Sequence, residues 1–163
     1  MKFKVGDKAV HPSHGVAEIT SVEVKEIGGN KKEFYVLETL DKGRKQKLMV
    51  ATDAVVRLGL RKVISRTEAK KVYEVLRADE VAVTSQPWNR RQREYNEMLN
   101  SGSLFQVAKV LRDLYRLKGG KELSFGERRL LEQASSLLVT ELALVKKVQV
   151  QRIETEIADI LSA

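Results

Sequence analysis

The sequence contains no cysteine and only two prolines among its 163 residues. The lack of cysteine excludes disulfides, thiol catalysis and thiolate-bound metal sites. There is no run of about 18 apolar residues, so we expect no segment that spans a membrane. The first four residues, Met-Lys-Phe-Lys, are followed by Val5, Gly6 and Asp7 instead of an apolar stretch. We therefore expect no signal peptide and a cytoplasmic location.

The composition is that of a folded, basic protein. Hydrophobic residues make up 42% of the chain, which is enough for a core, and the length allows one medium domain or two small ones. Thirty Lys and Arg residues against 22 Asp and Glu give a formal net charge of +8. Such an excess favours an anionic partner, most often nucleic acid.

Residues 1–65 have the pattern of short strands joined by turns. The Gly-Gly-Asn sequence at 28–30 is typical of a hairpin, and Asp-Lys-Gly at 41–43 predicts a second turn. The strand-like segments are 16–19, 22–24, 34–37 and 47–50. Because so small a sheet buries little apolar surface unless it closes, we predict a small β-barrel of four or five strands.

Residues 66–163 change to a helical period. Capping boxes are predicted at Ser65 and Ser124, each with Glu three positions later, and Pro87 marks another helix start. The segment 78–86 has no clear period and is predicted to be a linker. The sequence therefore predicts a two-domain α+β protein, with a small β-barrel over 1–65 and a compact all-α helical module of about five helices over 66–163.

The residues that could support catalysis are few. The two histidines, His11 and His14, flank Pro12 and make a poor metal site without cysteine, so we interpret them as a turn pair. The Gly-Gly-Lys sequence at 119–121 lacks the rest of a phosphate loop and fits a helix end. No nucleophile motif is present. We predict no enzyme activity, no metal and no cofactor.

The most informative segment is 86–93, which reads Gln-Pro-Trp-Asn-Arg-Arg-Gln-Arg and contains the only tryptophan. An indole can stack on an unpaired base or wedge into a minor groove, and arginines can bind phosphates or enter a narrow groove. If a helix starts near Pro87, its free N–H groups also favour a phosphate. The alternative is a Trp88 buried between helices, with solvated arginines beside it.

The positive charge is unevenly distributed. Residues 85–130 contain 10 basic and 5 acidic residues, whereas residues 131–163 contain 3 and 5. A basic face for phosphate contacts is predicted around Arg90, Arg91, Arg93, Lys109, Lys118 and Lys121. Residues 1–65 are also basic, but their aromatic residues Phe34 and Tyr35 are adjacent and point to opposite faces, so one of them is expected in the core.

Strand 47–50 is a candidate edge. Its Lys-Leu-Met-Val sequence offers apolar residues to a partner protein that could extend the sheet. The alternative is an ordinary buried strand, and composition does not decide between the two.

Several motifs resemble, in order, those of the CarD/CdnL family of bacterial transcription regulators. They comprise 3–16 (Phe-Lys-Val-Gly-Asp-Lys-Ala-Val-His-Pro-Ser-His-Gly-Val), 59–61 (Gly-Leu-Arg), 87–91 (Pro-Trp-Asn-Arg-Arg), 110–114 (Val-Leu-Arg-Asp-Leu) and 123–128 (Leu-Ser-Phe-Gly-Glu-Arg). The resemblance covers essentially the whole chain.

The resemblance implies a Tudor-like β module that docks on the RNA polymerase β subunit, like the polymerase-interacting domain of the transcription–repair coupling factor. It implies a helical module that touches promoter DNA at the upstream edge of the transcription bubble. There Trp88 would wedge into the minor groove, with Arg90, Arg91 and Arg93 beside it. The implied polymerase-binding residues are Lys25, Ile27, Lys47, Leu48, Met49 and Val50.

The leading hypothesis is thus a monomeric regulator that binds polymerase and promoter DNA, largely without reading sequence, and stabilises the open complex. It would associate with the bacterial nucleoid through RNA polymerase. The second hypothesis is a protein-interaction adaptor without direct DNA contact. A hydrolase would need a titrating pair in a pocket, and the sequence offers no candidate.

Overall fold

The computed structural model describes residues 2–40, 45–83, 87–118 and 122–162. The chain divides into two compact units, Met1–Val63 and Ile64–Ala163. The first unit contains the sheet and the second contains the five longer helices, so the fold is α+β. The turn predicted at 41–43 and the Gly-Gly-Lys sequence at 119–121 lie outside the described residues.

The first unit is an antiparallel sheet. Its strands are β1 (Lys8–His11), β2 (Gly15–Ile27), β3 (Asn30–Thr39), β4 (Lys47–Ala51) and β5 (Arg61–Lys62). Their order is β4-β3-β2-β1-β5, so β4 and β5 lie at opposite ends. The predicted closed barrel is therefore wrong for the described residues. Because β5 contributes only two residues, it offers too few backbone groups to close the sheet onto β4.

The β2–β3 hairpin is confirmed, with Gly28 and Gly29 at φ values of +57° and +82° in its turn. The base of the hairpin builds the core of the unit, where Ile19 and Leu37 are fully buried. Of the adjacent aromatic pair, Tyr35 lies in this core and meets the Phe3 ring edge-on at 5.9 Å, as expected from strand alternation. A one-turn helix, α1 (Val55–Leu58), contributes Val55 to the same core.

The second unit is a helical module. Its helices are α2 (Arg66–Arg77), α3 (Trp88–Leu99), α4 (Leu104–Lys118), α5 (Phe125–Lys146) and α6 (Val150–Ser162). Both predicted capping boxes are confirmed, because Ser65 and Ser124 each exchange hydrogen bonds with the Glu three residues later. No helix in the described ranges is both long and apolar enough to cross a bilayer.

The segment predicted as a linker, 78–86, contains no helix or strand in its described part, residues 78–83, and it is held in place by tertiary hydrogen bonds. The carboxylate of Asp113 on α4 accepts hydrogen bonds from the backbone N–H groups of Ala82 (3.0 Å) and Val83 (2.9 Å). Val83 is buried in the helical core. Next to Asp113, the buried Arg112 donates to the Val75 carbonyl at 2.7 Å. These contacts fix the chain a few residues before Trp88.

Candidate nucleic-acid interface

Trp88 is the first residue of α3, as the position of Pro87 predicted. Pro87 is extended, with φ −87° and ψ −174°, and serves as the N-cap residue. The indole is partly buried and packs against the core of the helical unit. One side of it lies on the first turn of α5, where a Cβ added to Gly126 would come within 3.3 Å of Trp88 Cζ2. A larger residue than glycine would therefore displace the indole.

Arg91 lies one turn after Trp88 and packs against two aromatic rings. Its guanidinium carbon is 5.1 Å from the Trp88 ring centroid and 5.8 Å from the Tyr95 ring centroid. Only 12% of its side chain is exposed. Its Nη2 atom is 3.9 Å from Glu127 Oε2 and has no hydrogen-bond partner within the described residues. Arg91 is therefore largely buried, and its guanidinium packs against the Trp88 indole and holds it in place.

Glu127 connects Arg91 to the start of α5. Its Oε1 atom accepts the backbone N–H of Ser124 at 3.1 Å, while Oε2 faces Arg91. The fully buried Tyr95 donates its hydroxyl to Asp113 at 3.2 Å. Burial raises the pKa of Tyr95 to about 12, against the opposing effect of a hydrogen bond from Arg91. Trp88 is thus braced by the Arg91 side chain of α3 and by α5 at Gly126, while Asp113 of α4 holds Tyr95.

Arg90 and Arg93 are placed differently from Arg91. Both are exposed. At about 100° per residue, they lie on the side of α3 opposite to Trp88 and Tyr95. The structure brings Trp88 and Arg91 together, and it gives Arg90 and Arg93 a separate solvent-facing position. The alternative considered from the sequence was a tryptophan buried between helices with solvated arginines beside it. At this helix the Trp88 indole is partly packed, and Arg90 and Arg93 are solvated.

Of the two lysines predicted as DNA-binding residues, only Lys109 lies in the described residues. Lys109, on α4, is partly buried and borders a cavity that Glu94, Glu97 and Arg112 also line. The nearby carboxylates repel a phosphate, so phosphate binding at Lys109 is less favourable than at a lysine without acidic neighbours. Lys121 lies outside the described residues.

Three residues close in sequence to Gly126, which the indole contacts, were not selected from the sequence as binding residues. They are Phe125, Arg128 and Arg129, on the first turns of α5. Phe125 is 79% exposed, and both arginines are exposed. The capping-box motif signalled the helix start correctly. The motif does not predict that Phe125 points to solvent, because the exposure of a helical residue depends on which elements pack against the helix.

The predicted polymerase-binding residues separate into two groups. Lys25 and Met49 meet on one face of the sheet, with Lys25 Nζ 3.8 Å from Met49 Sδ. Ile27 at the hairpin end and Lys47 on β4 are exposed. Val50 is buried in the core and Leu48 packs against that core. The side chains of Leu48 and Val50 therefore serve the fold of the first unit.

Strand β4 is an edge strand, as one of the two sequence interpretations proposed. The Thr39 N–H bonds to the Gln46 carbonyl, and bonded pairs alternate along an antiparallel ladder. The backbone N–H and C=O groups of Leu48 and Val50 therefore point to β3 and pair with it. The N–H and C=O groups of Lys47, Met49 and Ala51 point to the open edge, where a partner strand could pair with them.

The two histidines lie close to each other at a turn. The rings of His11 and His14 are 4.8 Å apart, across the turn between β1 and β2. Burial, with a smaller effect of His14, lowers the pKa of His11. In the described ranges, no group of three or more His, Cys, Asp or Glu residues is arranged to hold a metal ion.

Comparison with known families accounts for both units. Residues 71–158 match a family model described as "CarD, C-terminal domain", and residues 3–64 match one described as "CarD-like/TRCF RID domain". The chain belongs to the CarD/CdnL family. It is also 27% identical, over 94% of its length and 98% of the relative's, to the Bacillus subtilis (strain 168) protein described as "Putative transcription factor YdeB".

The CarD/CdnL match agrees with the resemblance found in the sequence motifs, and it makes the chain a transcription regulator. Its two matched ranges fall on the two structural units, one on the sheet and one on the helices. The Trp88 site lies wholly within the matched C-terminal domain. Strand β4 and the β2–β3 hairpin lie wholly within the RID match, a domain type that indicates interaction with RNA polymerase.

Proposed function

We propose that this CarD/CdnL protein is a monomeric regulator of transcription initiation that binds two partners at once. The sheet unit binds the β subunit of RNA polymerase through the β4 edge and the β2–β3 hairpin. The helical unit contacts promoter DNA at the upstream edge of the bubble through Trp88. The combined contacts stabilise the open promoter complex.

The observation that carries the proposal is the bracing of Trp88. The indole is packed against Gly126 on one side and supported by Arg91 on another. A side chain that is already fixed loses little conformational freedom when it binds. A rigid apolar wedge of this kind is what proteins insert between base steps of a minor groove. A fully buried tryptophan could not do this, and a freely rotating one would do it less well.

The β4 edge supports the polymerase contact. Its outward backbone groups are available to a partner strand, and Lys25, Ile27 and Met49 provide exposed charge and apolar surface next to it. Neither contact needs to be strong. Linking them in one chain makes the second contact intramolecular, so the combined affinity exceeds either alone.

The effect on initiation follows from differential affinity. A wedge that fits only distorted DNA binds the open complex better than the closed one, and a ligand shifts a population by that difference. Each difference of about 1.4 kcal/mol changes the ratio of open to closed complexes tenfold. The chain needs no chemistry of its own to act in this way.

The test is the lifetime of competitor-resistant promoter complexes formed with RNA polymerase. We expect Trp88→Ala to shorten the lifetime at least about fivefold, the loss of about 1 kcal/mol of stacking, while polymerase binding stays intact. Arg152→Ala, which changes an exposed residue on α6, serves as the control. If Trp88→Ala leaves complex decay unchanged and residue 88 gives no crosslink to DNA, the adaptor hypothesis is correct instead.

A further inference from the structure

Phe125 is the exception among the aromatic side chains. Aromatic residues make up 6% of the chain, and all of them lie in the described residues. Phe125 alone is mostly exposed, at 79%. Burying a phenylalanine contributes about 1.5–3 kcal/mol to stability, and this residue forgoes that contribution. The fold of the helical unit therefore does not account for an aromatic residue at this position.

The position of Phe125 relates it to Trp88. Phe125 precedes Gly126, the residue against which the indole packs. Phe125 therefore stands exposed at the start of α5, one residue from the contact between Gly126 and the Trp88 indole.

The charges around Phe125 favour DNA. Arg128 and Arg129 are three and four residues further along α5, which places them on the same helix face as Phe125, and both are exposed. Of the nearby carboxylates, Glu127 is turned inward to Ser124 and Arg91. Glu122, before the helix, and Glu132, one turn beyond the arginines on the same face, are exposed and reduce the positive charge there. An aromatic ring beside two arginines is the combination that binds bases together with their phosphates.

We propose that Phe125 is a second DNA-contacting residue, which stacks on a base that is unstacked next to the Trp88 wedge. The inference rests on the proposed function, because a wedge that kinks the duplex is what exposes the face of such a base. Arg128 and Arg129 hold the adjoining phosphates. The DNA-binding surface therefore spans the starts of both α3 and α5, instead of α3 alone.

The first experiment measures promoter-complex lifetime with full-length variants and RNA polymerase. We expect Phe125→Ala and Phe125→Leu to shorten the lifetime at least about fivefold, and Phe125→Tyr to preserve it, because stacking needs an aromatic ring. The salt dependence should stay unchanged, since the phenyl group neutralises no phosphate. Leu117→Ala, at an exposed apolar residue of α4, is the matched control. Equal lifetimes for Phe125→Leu and the unmodified chain would overturn the stacking role.

The second experiment places a photo-crosslinking phenylalanine analogue at position 125 in the same complexes. A crosslink to a base near the upstream edge of the bubble supports the inference. A crosslink only to a polymerase subunit, or none, overturns it. If Trp88→Ala shortens the lifetime and the Phe125 variants do not, this inference fails while the proposed function stands. If Trp88→Ala has no effect either, both fail.

Discussion

The indole of Trp88 lies against Gly126 so closely that a methyl group on that glycine would be 3.3 Å from Cζ2. The two residues are 38 positions apart in the sequence and belong to different helices. Their contact joins the start of α3 to the start of α5. It makes the orientation of the proposed wedge depend on a residue that has no side chain of its own.

Gly126→Ala tests this contact. Alanine at a helical position stabilises a helix by about 1 kcal/mol relative to glycine, but here its methyl group would displace the indole. We expect little or no gain in the free energy of unfolding, a shift in the emission of the single tryptophan, and shorter-lived promoter complexes. Denaturant unfolding and intrinsic fluorescence measure the first two.

A double-mutant cycle isolates the cause. In a Trp88→Ala background the methyl group meets no indole, so Gly126→Ala should then stabilise the chain by up to about 1 kcal/mol. The same increment in both backgrounds would show that the glycine does not restrict Trp88.

Replacing Arg91 should lower the stability of the protein, whereas replacing Arg90 or Arg93 should not. Because the Arg91 side chain packs on the Trp88 and Tyr95 rings, we expect Arg91→Ala to lower the free energy of unfolding by about 1–2 kcal/mol and to red-shift Trp88 emission. Arg90→Ala and Arg93→Ala should leave stability within about 0.5 kcal/mol.

The salt dependence of DNA binding separates the two roles. Each lost phosphate contact reduces the slope of log affinity against log salt by about 0.9, so Arg90→Ala and Arg93→Ala should reduce it. Arg91→Ala should weaken binding with little change in slope. A reduced slope for Arg91→Ala without loss of stability would mean that Arg91 leaves the aromatic rings to bind a phosphate.

The polymerase contact can be tested by introducing glutamate on the sheet face where Lys25 and Met49 meet. We expect Lys25→Glu and Met49→Glu each to raise the Kd for the isolated β subunit about tenfold, equivalent to about 1.4 kcal/mol. Thermal unfolding should be nearly unchanged, because both side chains are on the surface. Arg57→Glu, at an exposed residue of α1, should leave the affinity unchanged. Equal losses for all three variants would indicate an unspecific charge effect.

A pH-dependent contribution to stability comes from Glu156 on α6. The carboxylate accepts the Tyr73 hydroxyl at 2.7 Å and faces Lys146 Nζ at 3.0 Å. The hydrogen bond from Tyr73, then that from Lys146, lowers the pKa of Glu156 below its usual 4.5. A carboxyl with a lower pKa in the folded state stabilises the protein above its unfolded pKa, and that stabilisation is lost as the pH falls through the folded pKa.

We therefore expect Glu156→Gln to lower the melting temperature at pH 7, and we expect this difference to shrink as the pH falls below the usual carboxyl pKa of 4.5. Glu154→Gln, at an exposed residue of the same helix, should give parallel curves at every pH. Thermal melts monitored by circular dichroism between pH 3 and pH 7 measure both. A Glu156→Gln effect that is constant over this range would place the contribution in packing instead of ionisation.

The local features of this protein could be predicted from its sequence. The capping boxes at Ser65 and Ser124 and the Gly-Gly turn at 28–29 depend on residues within three positions of one another. Backbone geometry and short-range hydrogen bonding fix such features regardless of the rest of the chain. The start of α3 directly after Pro87 belongs to the same class.

Features that depend on distant residues could not be predicted in this way. The segment before α3 was expected to be a linker because nothing in its own sequence gives a period, and Asp113, about 30 residues later, holds it. Leu48 and Val50 were grouped with Met49 by their position on one strand. Their burial depends on the side of β4 that meets the core, which the register with β3 determines.

The sequence by itself determined the class of the protein. Its motifs identify the family, its charges favour an anionic partner, and its lack of cysteine excludes thiol chemistry. Only the tertiary structure decided how the candidate residues are used: Arg91 supports the indole, Arg90 and Arg93 face solvent, and Phe125 stands exposed one residue from the Gly126 contact with Trp88. The physical reason is that composition and local pattern fix what a segment can form, whereas burial and side-chain direction depend on the elements that pack against it.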